Sequence, residues 1–139
     1  MAEAAGYVTR NAEDAIDARC AALTRRRRGG GATADALSEV LIGAQTPIKD
    51  LAARYELIAL APRYPLLRSV VEQRRQHMSA IHGEVLAKSG RRSDPHRVDW
   101  LIALEDGAVV GTLGGGSCSP FEAAREALNG VVDILAPQA

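Results

Sequence analysis

RVDWLIALEDGAVVGTL, residues 97–113, decides the fold. Asp106-Gly107 stands between two apolar runs, which is the signal of a tight β-hairpin. The same residues also read as one helix, and what precedes them favours that reading. Asp94 offers a side chain that can accept from an orphan helix N–H. Pro95 has no N–H to lose and a φ already suited to a first turn. The spacing predicts a helix that Gly114 to Gly116 end. Leu101, Ile102, Leu104, Ala108, Val109, Val110 and Leu113 leave it no clean polar face. A small protomer can cover only part of such a surface, so a second copy is expected on the rest.

The same punctuation recurs along the chain. Thr46-Pro47 and Ser119-Pro120 repeat the cap-then-proline start, and Glu122 completes a capping box with Ser119. A first helix is expected over 3–28, with Val8, Ala12, Ala15, Ile16, Cys20 and Leu23 at helical spacing, ended by the glycines at 29–31. A short second helix opens at Thr33 or Asp35 and carries Leu37, Val40 and Leu41. The third, from Thr46, places Ile48, Leu51, Ala52, Tyr55, Ile58 and Ala59 on one face. Leu57 and Leu60 fall off that face, so this helix is expected inside the fold. Pro62 and Pro65 break it. The fourth carries Leu67, Val70, Val71, Met78, Ile81, Val85 and Leu86 and stops at Gly90. The last sets Phe121, Ala124, Leu128, Val131, Val132 and Leu135 in a stripe. The expected fold class is all-α, a multi-helix bundle.

The bulk numbers agree. The 139 residues are enough for one domain with a core, and aromatics at 4% leave that core to Leu, Val, Ile and Ala. Lys plus Arg equals Asp plus Glu at 17 each, which gives no basic excess for nucleic acid. Cys20 and Cys118 lie far apart, outside metal or redox spacing, and suit a reducing cytoplasm, although a bridge between them stays open. The start carries acids and no apolar core of a signal peptide, and no run is long enough to span a bilayer.

ARYELIALAPRYPLLR, then a long helix, then SDPHRVDWLIALEDGAVVG resembles the C-terminal ligand-binding domain of TetR-family transcriptional regulators. The resemblance covers about residues 33–135. It departs at Leu104-Glu105-Asp106-Gly107, one residue longer than the commoner Leu-Asp-Gly. It implies a TetR C-terminal-type bundle in which residues 1–28 are the connecting helix and 33–139 the helical core of a single ligand-binding and dimerising domain. No part of residues 1–30 fits the family's helix-turn-helix head, so no direct DNA binding is expected of these residues. The partners expected are a second copy of the chain and a small apolar or amphipathic ligand, with no cofactor, metal or membrane. Two alternatives remain. One is a ligand-free dimerisation module that pairs with a full-length regulator. The other follows from the hairpin reading, which resembles the central hairpin of GNAT acetyltransferases, with GGGSCS at 114–119 as the start of their pyrophosphate loop.

A pocket is expected from Tyr55, Arg74, His77, Met78 and Trp100, which combine apolar bulk with polar tips. A homodimer is expected through the last two helices, by Leu101, Ala108, Val109, Ala124, Leu128, Val131, Val132 and Leu135. Glu105 and Asp106 interrupt the apolar fifth helix. Such a pair ordinarily faces solvent or caps a kink; if buried, it needs partners, with Arg74 or Arg97 as candidates. The arginines at 25–28 read as a solvated helix C-terminus, where cations favour the dipole. His77, His82 and His96 share no face at metal-ligand spacing. Ser117 and Ser119 lack the order of a hydrolase elbow, and no nucleophile–base pair stands out, so no enzyme is expected.

Overall fold

The structure, a computed structural model, describes residues 2–116 and 118–139, and the backbone alone for residues 2 and 4–9. Ser117 and the side chain of Val8, both considered above, lie outside the described residues. The described residues form seven helices: α1 Ala2–Ala22, α2 Gly30–Leu41, α3 Ile48–Leu60, α4 Pro65–Lys88, α5 Pro95–Leu113, α6 Pro120–Asn129 and α7 Val132–Leu135. The chain is 74% helical, and the described residues form no strand. Residues 100–113 lie on α5, which removes the acetyltransferase alternative, because that reading needs a hairpin at Asp106-Gly107.

Two of the three cap-and-proline starts act as written. The Asp94 carboxylate accepts from the backbone N–H of His96 at 2.9 Å, and Ser119 Oγ accepts from that of Glu122 at 3.1 Å. The third does not. Pro47 itself precedes α3, and the Thr46 hydroxyl donates instead to the Ile42 carbonyl. Gly90, at φ 74°, turns the chain after α4 with its Cα side against Arg27, a conformation that favours glycine.

The N-terminal third differs most from the expectation. α1 stops at Ala22, and residues 24–29 run extended beside the end of α4. There the backbone N–H groups of Arg26 and Arg28 donate to the carbonyls of Lys88 and Ser89. Arg28 is therefore buried, with its guanidinium donating to the Thr24 and Lys88 carbonyls, rather than solvated at a helix end. The glycines at 29–31 open α2 instead of closing α1.

α2 is the helix at the centre. Thr33, Ala34, Ala36, Leu37, Ser38, Val40 and Leu41 are all buried, against α1, α4 and α6. Its small residues permit that close approach. α3 is half-covered rather than internal: Leu51, Arg54 and Tyr55 are buried, while Ile48, Ala52 and Ala59 are exposed. The last helix is interrupted at Gly130 and resumes as α7, yet its stripe continues through the break as Ala124, Leu128 and Val132.

Arg91 ties the two ends together. It is buried and donates to Thr33 Oγ1, the Arg28 carbonyl, the Ala136 carbonyl and the Asp133 carboxylate. Five N–H donors in a planar fork suit this kind of multiple junction.

Candidate functional site

The middle of α3, α4 and α5 holds a polar cluster inside an otherwise apolar core. Arg54 and Tyr55 fall on the buried stripe of α3, Arg74, Met78 and His82 on that of α4, and Glu105 on that of α5. His82 and Glu105 are almost wholly inaccessible, at 0% and 1%. His82 Nδ1 donates to the Met78 carbonyl one turn back at 2.6 Å, which leaves Nε2 facing Glu105 Oε2 at 3.3 Å. Burial alone would push the imidazole down. The adjoining Glu105 carboxylate and the Met78 carbonyl outweigh that, and His82 titrates above its ordinary value.

Next to this pair, the Tyr55 hydroxyl donates to Asp106 Oδ1 at 2.9 Å. Burial, and then the facing Asp106 charge, raise the Tyr55 phenol far above its usual range. Burial, and then neighbouring Glu105, raise Asp106. The Arg74 guanidinium lies 5.7 Å from the Tyr55 ring centre, a cation–π arrangement. Neither carboxylate takes Arg74 or Arg97 as its hydrogen-bonding partner; His82 and Tyr55 hold them instead.

These shifts give stability a definite pH dependence. For His82 the folded value exceeds the unfolded one of about 6.5. Its contribution is therefore fully present below about pH 6.5 and is lost as pH rises through the folded value. Asp106 has the same sign, since its folded value is also raised. Urea unfolding should thus give a lower midpoint at pH 9 than at pH 6. In His82→Gln this decline should largely disappear; an unchanged slope would mean that His82 is not the titrating group.

Two hollows border the cluster. One, of about 530 Å³, lies between α1, the α2–α3 turn and α3, with Ala12, Ala15, Arg19, Thr46, Pro47, Ala53 and Arg54 among its walls. The other is a more open groove of about 650 Å³ between α3 and α5, reached by Tyr55, Asp106, Gly107 and Val110. The polar groups of the open groove satisfy each other. Those of the first hollow do not: Arg54 Nη2 donates to the Leu41 carbonyl at 3.0 Å, but its buried Nε has no hydrogen-bond partner among the described residues. Burial, and then neighbouring Arg74, lower the Arg54 guanidinium from its usual value.

Of the five residues expected to line a pocket together, Tyr55, Arg74 and Met78 meet in the cluster. His77 does not join them. It lies toward α1, its Nε2 2.8 Å from Asp17 Oδ1. Trp100 is 60% exposed on the far side of α5. Arg54, His82 and Glu105 were not singled out for a site, although their positions were a signal. Each falls on an apolar stripe: 51–54–55, 78–81–82–85 and 98–101–105–109.

The expected dimer residues divide in the same way. Leu101, Val109, Ala124, Leu128 and Val132 are at 0% exposure inside the protomer, so no partner can reach them. Ala108, Val131 and Leu135 are half-buried. The outer face of α5 is instead Trp100, Ala103, Leu104, Gly107, Val110 and Gly111, all exposed and spaced three or four apart. Beside it, Trp100, Ala103 and Leu104 form a shallow apolar depression with Val131, Ile134 and Leu135.

A family model described as the tetracyclin repressor-like, C-terminal domain matches residues 28–134. The chain belongs to this family. No curated protein and no solved structure matches it. TetR-type domains are the ligand-binding part of transcription regulators, which are generally not enzymes. The matched span runs from buried Arg28 to α7 and takes in the cluster, the groove between α3 and α5, and the exposed face of α5. α1 precedes it, and α1 forms one wall of the hollow beside the α2–α3 turn of this TetR-type domain. Among the described residues no helix is long and apolar enough to cross a membrane.

Proposed function

We propose that this TetR-type domain senses a small molecule in the cavity between α1, the α2–α3 turn and α3, and pairs with a second copy through the outer face of α5. The observation that supports the sensing role is the cavity itself. Its volume of about 530 Å³ suits a small ligand. It is less open than the groove between α3 and α5, it is walled by apolar and polar groups together, and it touches the helix that the family resemblance makes the connection to a DNA-binding head. A ligand wedged there favours one spacing of α1 against α3 over another, by its difference in affinity for the two.

A thermal-shift screen of small molecules tests this against Ala53→Phe, which fills the cavity from α3. Compounds that raise the melting temperature of the unmodified protein should lose that effect in the variant. Equal shifts in both proteins would put the ligand elsewhere.

The pairing role rests on the apolar face of α5. Gly107 and Gly111 sit on it in mid-helix, where glycine costs about 1 kcal/mol relative to alanine, and an added Cβ at either would meet nothing within 4 Å. Their smallness serves nothing inside the protomer; it admits a second helix backbone. Trp100, the lone tryptophan, reports on this contact. Its emission should shift to the red on dilution as the pair separates, whereas emission independent of concentration, with a monomer in sedimentation at micromolar protein, would refute the pairing.

A further inference from the structure

The last turn of α2 holds two guanidinium groups in place at the same cavity. Arg19 Nε donates to the Val40 carbonyl at 3.0 Å, and Arg54 Nη2 to the Leu41 carbonyl at 3.0 Å. Helix C-terminal carbonyls lack intrahelical donors, so this use of an arginine edge satisfies both parties. It also fixes two cations that come from different helices. Gly43 makes room for the first: a Cβ there would stand 3.0 Å from Arg19 Cζ and 3.1 Å from its Nη1, and its φ of 77° disfavours any side chain.

The second cation has no carboxylate in direct contact. Arg54 is 4% exposed, its Nε has no partner, and among the described residues no carboxylate lies within ion-pair distance of it. Glu105 is engaged by His82 and Asp106 by Tyr55. A buried, unpaired guanidinium is costly, and an arriving anion offsets that cost. The acids at the cavity, Glu39 and Asp50, are both exposed, and Glu39 faces Arg19 rather than Arg54. Together they formally balance Arg19 and Arg54, which opposes a dianion, but neither pairs with Arg54. The remaining walls include Ala12, Ala15, Pro47 and Ala53, which suit an apolar body.

We propose that the cavity takes a small monocarboxylate, its carboxylate on Arg54 with Arg19 alongside and its apolar part against the alanines of α1 and α3. This rests on the reading of the cavity as the sensing site. It predicts discrimination by charge at constant shape.

Calorimetric titration of the full chain with benzoate and hexanoate, against benzamide and hexanamide, tests it. The acids should bind at least tenfold more tightly than their amides, since hydrogen bonds to a charged group outweigh neutral ones. Arg54→Met should abolish the acid preference while far-UV circular dichroism shows the chain still folded. Arg54→Lys keeps the charge without the fork and should retain only part of the preference. Arg19→Gln, nearer the mouth, should reduce it less than Arg54→Met.

Amides binding as well as acids would overturn the anion inference and leave the sensing reading intact. No binding of either series at millimolar concentration would also overturn it, and the broader screen with Ala53→Phe then judges the cavity alone. An acid preference that survives Arg54→Met would overturn the role of Arg54.

Discussion

Glu105→Ala is expected to destabilise the domain by about 3–5 kcal/mol, the usual cost of breaking a buried charged pair by removing one partner. The reason lies in its surroundings. Glu105 is 1% exposed, faces His82 at 3.3 Å, and bears electrostatically on Arg54. Without it, three basic groups share one buried region whose nearest acid is Asp106, already held by Tyr55. A loss of this size would lower the melting temperature by about 10 °C or more in a chain of this length. Glu84→Ala is the control. Glu84 is exposed and pairs with Lys88 at a loose 3.8 Å, so its loss should fall within about 0.5 kcal/mol. Urea unfolding of the two variants settles the matter: similar midpoints would mean that the buried cluster contributes nothing specific to stability.

Leu104→Asp and Val110→Asp are expected to convert a dimer into a folded monomer. Both side chains are exposed on the outer face of α5, at 41% and 51%, so a carboxylate there stays hydrated in the separated protomer. It is buried only when the copies meet, at a cost of several kcal/mol. Val109→Asp and Leu128→Asp should behave differently. Both positions are at 0% exposure, so the charge enters the core and the fold itself is lost. Sedimentation with far-UV circular dichroism separates the cases: the first pair changes mass alone, the second changes both. Gly107→Ala adds a finer test. It should stabilise the isolated helix by up to about 1 kcal/mol and yet weaken the dimer. If Leu104→Asp and Val110→Asp sediment like the unmodified protein, the α5 face is not the interface.

Helix capping and punctuation were legible because they are local. Asp94-Pro95 and Ser119-Pro120 need only their own next turn to act, and both begin helices as read. That local signal was enough to decide α5 against a hairpin, and with it the all-α class. The order of ARYELIALAPRYPLLR and the Asp-Pro-capped helix likewise carried the family. Tertiary contacts decided what the local signals could not. Arginines at 25–28 have good helix propensity, yet strand-like hydrogen bonds to the end of α4 hold them extended and bury Arg28. α5 is apolar all round in sequence, so periodicity could not say which side meets the core. Packing against α6 and α4 buries Val98, Leu101, Glu105 and Val109 and turns Trp100, Leu104 and Val110 outward. The same holds for the polar groups. That Arg54, His82 and Glu105 lie on apolar stripes is written in the chain. Which of them pair, and that Arg54 lines a cavity with no carboxylate in contact, depends on how three helices from distant parts of the sequence are brought side by side.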